Sequence, residues 1–100
     1  MKFTKAVAIK LANKYNLDLN VVPVDEFVFG LNVELEHGSM LRKITKLTNV
    51  TRNDPDIIFK IVLAHLIENP RYYYYLKAME AKGDKYWSTR KKPSIFLAKK

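Results

Sequence analysis

Two histidines occur in this 100-residue chain, and each lies three residues from a glutamate. Glu34 and His37 stand in V-E-L-E-H-G, while His65 and Glu68 stand in reverse order in A-H-L-I-E-N-P. Positions three apart share one face of a helix, so each pair acts as a unit where its segment is helical. Two chemistries follow. Two histidines with two or three carboxylates make a donor set for zinc or non-haem iron, and Glu80 and Tyr73 are further candidates. Ferritin-like sites use Glu-x-x-His on two helices with single glutamates from two others. The reversed second pair departs from that pattern. The other chemistry is structural: a histidine and a glutamate on facing helices satisfy each other and set the helix register. The structural joint is the expectation, and a metal held by Glu34, His37, His65, Glu68 and Glu80 is the alternative. No other cofactor is expected.

Nucleophilic and phosphate chemistry lack their usual parts. Cysteine is absent, no glycine-rich phosphate loop is present, and Ser39, Ser88 and Ser94 fall in loops or the tail rather than in an elbow motif. A non-enzymatic protein is therefore expected.

A second set of residues suits recognition. Lys82, Lys85, Arg90, Lys91 and Lys92 surround Tyr86 and Trp87, and Ile95-Phe96-Leu97 follow. Cations interleaved with aromatic rings bind phosphates while the rings stack on bases. The bland counterpart is a tail whose Trp87 and Phe96 pack back on the body. Of the run Tyr72-Tyr73-Tyr74-Tyr75, a helix sends the four rings in four directions. Tyr72 and Tyr75 are expected inside, whereas Tyr74, with Phe29 and Val33, is a candidate contact for another protein.

These residues need helices to position them. Phe3, Val7, Leu11 and Tyr15 recur every four residues and predict a first amphipathic helix, with Asn13 and Asn16 as stops. A second helix is predicted from Asp25 as N-cap to Gly38 as C′ residue, with Val24, Phe27, Val28, Leu31 and Leu35 on its inner stripe. Gly30, Glu34 and His37 flank that stripe, and the glycine lets a neighbour approach. Residues 39–53 predict a short helical turn and an ordered loop. Asp54-Pro55 starts a third helix, apolar on nearly every side and so expected at the centre. Asn69-Pro70 separates it from a fourth, whose inner stripe is Tyr72, Leu76 and Met79 with Tyr75 beside it, and which Gly83 closes. The expected architecture is all-α: a compact bundle of about four helices in residues 1–83, then a basic, aromatic-anchored tail in 84–100.

Length admits one core. The net charge of +8 is uneven: residues 1–14 hold four lysines and no acid, residues 15–81 seven basic against nine acidic, and residues 82–100 seven basic against Asp84 alone. Basic ends on a near-neutral body predict a polyanionic partner, nucleic acid or an acidic protein surface. Neither a membrane-length apolar run nor a signal-peptide core is visible, which predicts a cytoplasmic or virion location and no membrane.

The stretches E-F-V-F-G-L-N-V-E-L-E-H-G, T-N-V-T-R-N-D-P and K-I-V-L-A-H-L-I-E-N-P-R-Y-Y-Y-Y-L-K-A-M-E resemble an uncharacterised family of small helical proteins found in bacteria, phages and large DNA viruses. The resemblance covers roughly residues 25–80. Asn53 stands where the family often carries a second acid, and the segment after Glu80 looks like an extension. What it implies is a helical fold, a phage or viral context and a single constellation of Glu34, His37, His65 and Glu80. The function expected is a small binding or structural protein, a minor virion or genome-proximal component docking on protein.

Overall fold

Local chemistry starts and stops each helix. In the computed structural model, which describes residues 2–36 and 51–91, the extended Thr4 turns its hydroxyl to the Val7 amide and opens α1, Lys5–Tyr15. Asn16 closes α1 in the left-handed region (φ 58°), its N–H reaching back to the carbonyls of Ala12 and Asn13. Pro23 precedes α2, Val24–Leu35. Asp25 is thus not the cap that its type suggests. It lies with Glu26 inside the first turn, where both carboxylates favour the positive end of the helix dipole.

Asp54 caps α3, Pro55–Glu68, by accepting from the amides of Asp56 and Ile57, with Pro55 in the first turn. Upstream, Arg52 and Asn53 both take positive φ (50° and 59°), and the Asn53 amide bonds the hydroxyl of the buried Thr51. Asn69 ends α3, and its side chain accepts the Arg71 amide in the tight link to α4, Tyr72–Trp87. Among the described residues there is no strand, and the molecule is an all-α bundle.

The core is Ala8, Leu11 and Ala12 of α1, Phe27, Leu31 and Leu35 of α2, Ile58, Phe59, Val62 and Leu66 of α3, and Tyr73 of α4, with Phe3 and Val22 from the connections. Phe59 is its hinge of contacts: Tyr15 stacks on it at 4.3 Å and Phe27 meets it edge-on at 6.0 Å. Phe3 precedes α1 rather than belonging to it. Asn32 holds it there, accepting from its N–H at 2.8 Å and donating to its carbonyl at 3.1 Å.

Several expectations change. The central helix is α2, against which α1, α3 and α4 all pack; α3, for all its apolar content, leaves Ile57 and Ile67 exposed. Val7 is exposed because the inner face of α1 turns toward Ala8 and Ala12. Gly83 does not close α4, which runs through it in ordinary helical geometry to Trp87. On α4 only Tyr73 is fully buried, with Tyr72 and Leu76 partly buried against the core as expected; Tyr75 and Met79 stand in the open, 60% and 61% exposed. The helix meets the bundle over its first turns only, so a stripe running its whole length need not face inward. His37, Gly38, residues 39–50, Lys92 and Ile95-Phe96-Leu97 lie outside the described residues.

Candidate functional site

Glu34 is the only charged residue buried among those described. It sits on α2 one turn beyond Gly30, and Tyr73 enters from α4 to meet it. The Tyr73 hydroxyl donates to Glu34 Oε2 at 2.7 Å. Gly30 makes this possible: a Cβ there would come within 2.8 Å of the Tyr73 ring. From α3, His65 Nε2 lies 3.5 Å from the same Glu34 oxygen. The imidazole stacks on Tyr72 at 4.2 Å and meets Tyr73 edge-on at 6.1 Å. Three helices therefore converge on one carboxylate oxygen.

Burial first, then the hydrogen bond to Glu34 and the charges of Glu34 and Tyr72, push the Tyr73 hydroxyl far above its ordinary value. It is fixed as a proton donor. A carboxylate in a low-dielectric core must be hydrogen-bonded or it destabilises the fold by several kcal/mol. The Tyr73 hydroxyl meets that need with the His65 imidazole beside it, and no buried side-chain polar atom lacks a partner among the described residues.

The sequence-derived metal set is only partly brought together. Glu34 and His65 share the joint. Glu68, three residues from His65, is exposed at the end of α3. Glu80 is exposed on α4, where partial shielding and the neighbouring carboxylates Glu36 and Asp84 push its carboxyl up. Among the described residues no group of three His, Asp or Glu could hold a metal ion, and His37 is outside them. Tyr73 is the residue that the hydrophobic pattern misplaced. Gly30, opposite an aromatic run, was the signal that one ring would have to fit there.

The recognition residues gather elsewhere. Lys82, Lys85, Tyr86, Ser88, Thr89 and Arg90 line one open depression at the outer end of α4. Arg90 lies over the Tyr86 ring at 4.0 Å and donates to the Tyr86 carbonyl at 3.1 Å. Trp87, half-buried, meets the other side of Tyr86 edge-on at 5.0 Å and supports it without lining the depression. Lys91 is exposed beyond it. Lys82, Lys85, Arg90 and Lys91 make no ion pair among the described residues.

The proposed partner face is split. Phe29 and Tyr74 line a depression with Asp25, Glu26, Tyr73 and Lys77, but their rings are covered by the protein's own cations. Lys77 stands over Phe29 at 5.6 Å, and Arg71, bonded to Glu26 at 2.9 Å, over Tyr74 at 4.5 Å. Val33 packs against the core. No helix among the described residues is long and apolar enough to cross a membrane.

No curated protein and no solved structure matches the chain. One family model does, over residues 8–82, spanning the Gly30–Tyr73 slot and the three-helix joint. The chain belongs to the family described as protein of unknown function (DUF5661).

Proposed function

We propose that this is a non-catalytic binding protein that meets a polyanion, nucleic acid first, with the outer end of α4. The observation that carries the reading is the depression where Lys82, Lys85 and Arg90 converge beside Tyr86. Exposed cations without an ion-pair partner displace the counterions of a phosphate chain. The Glu34–Tyr73–His65 joint holds the platform from which this arm projects. Protein docking in a phage or virus particle, next to its genome, is the setting that suits a near-neutral bundle with basic ends.

Fluorescence anisotropy with a labelled single-stranded oligonucleotide, across a salt series, tests the reading. Each lost phosphate contact lowers the slope of log K against log salt by about 0.7. Lys85→Gln with Arg90→Gln is expected to lower it by about 1.4 and to weaken binding at every salt concentration. Salt-independent binding, or a double variant that binds as the parent does, would sink the proposal.

A further inference from the structure

The apolar stripe of α4 is only partly covered among the described residues: Tyr72 and Leu76 pack against the core, whereas Tyr75 and Met79 stand in the open. Tyr72, Tyr75, Leu76 and Met79 recur at helical spacing and, with Asn69, line an open groove. Tyr86 extends the same face one heptad beyond Met79, and Tyr75, Met79 and Tyr86 are each more than half exposed. Gly83 lies on this face too. A Cβ at Gly83 would meet nothing within 4 Å, so nothing inside the described chain explains a residue that weakens a helix. Inside the bundle, glycine has a definite use: Gly30 is the hole into which the Tyr73 ring fits.

We infer that α4 pairs antiparallel with α4 of a second copy of this chain, centred on Met79. That centre sets Met79 against Met79, Tyr75 against Gly83 of the second copy, and Tyr72 against Tyr86. Tyr75 then enters the Gly83 hole as Tyr73 enters the Gly30 hole. Charge selects the direction. Residues 82–91 hold four basic residues and one acid, whereas residues 68–81 hold two of each. Parallel pairing would set two basic arms side by side. Antiparallel pairing parts them and lays each arm beside the charge-balanced first turns of α4 in the other copy, near the exposed Glu68.

The area sets the strength. Sixteen helical residues span about 24 Å, and the exposed parts of these side chains bury on the order of 800 Å² in total. That falls below the roughly 1,200 Å² of a permanent interface. The pair is a reversible, concentration-dependent dimer. It lies beyond the polyanion reading and fails separately from it, because it is measured without nucleic acid.

Sedimentation velocity of the full chain over a concentration series is expected to show a monomer–dimer equilibrium. Met79→Lys and Gly83→Leu are both expected to shift it to monomer with unchanged helical circular dichroism, since neither position is enclosed. The chain has no cysteine, so introduced thiols report register. Tyr75→Cys mixed with Gly83→Cys is expected to give a disulfide-linked heterodimer, and neither variant alone a linked pair. A parent that stays monomeric throughout would overturn the inference and assign the stripe to another segment or a foreign partner. Linked homodimers of each single variant would overturn the antiparallel register.

Discussion

Tyr73 and Glu34 show how one hydrogen bond can matter more than a charge. The carboxylate is buried, and its near partner is a phenol whose proton is held by burial and by Glu34 itself. Tyr73→Phe removes the donor and keeps the ring, leaving the carboxylate to His65 and its remaining contacts. Urea denaturation is expected to show a loss of about 1–3 kcal/mol. Gly30→Ala attacks the same joint from the other side. The added methyl would lie 2.8 Å from a ring fully enclosed by its neighbours, and a loss of about 1–3 kcal/mol is expected from overpacking. Gly83→Ala, with open space around it, is expected instead to stabilise the dilute monomer by up to about 1 kcal/mol. Opposite signs at two helical glycines would confirm that one is a packing slot within the monomer and the other is not.

At the scale of elements, the tie between α1 and α3 is electrostatic and carries a pH signature. Lys14 Nζ lies 2.7 Å from Asp56, and the Tyr15 hydroxyl donates to the same carboxylate oxygen. Those hydrogen bonds, Lys14's first, hold the Asp56 carboxyl below its ordinary value of 3.8. A depressed folded value means that the tie stabilises fully above the unfolded value. It is lost as pH falls from 3.8 through the lower folded value. Asp56→Asn is therefore expected to be less stable than the parent at neutral pH and to show a shallower loss below that point in acid-dependent melting. A parent and variant with parallel acid limbs would show that the tie contributes nothing. The Asn32 clamp on Phe3 is a tie without a pH signature, made by one neutral amide of α2 that serves both backbone groups of the residue.

For the molecule as a whole, the buried and the exposed cationic parts of α4 occupy different halves of the helix. Its first turns supply Tyr73 to the core, and beyond Leu76 nearly every residue is exposed. Lys85→Gln with Arg90→Gln should therefore leave the thermal midpoint unchanged while oligonucleotide affinity falls. A drop in both would mean that the arm is part of the fold. The joint and the arm also carry different chemistry: one carboxylate satisfied inside, and a set of exposed cations outside that make no ion pair among the described residues.

Much of this was legible in the amino-acid order, because caps and periodicity are local. Asp54-Pro55, Asn16 and the core positions Phe27, Leu31 and Leu35 follow from side chains acting on their own backbone or on residues one turn away. The pairing of Glu34 with His65 was legible as a possibility, since each lies on a helix and needs a partner if buried. What the sequence could not decide is how far each helix lies against the others. The stripe Tyr72, Leu76 and Met79 is as regular as any in the chain, yet the fully buried residue is Tyr73, Tyr72 and Leu76 are only partly buried, and Met79 is exposed. The reason is distance along the chain: Gly30 and Tyr73 are 43 positions apart, and only the crossing of α2 and α4 places the slot opposite that ring. Composition likewise made α3 the centre, but burial depends on the neighbours a helix finds, and α2 found three. Local physics determined the helices and the residues able to form a joint. Tertiary packing decided which tyrosine would close it, and which face of α4 would be left exposed.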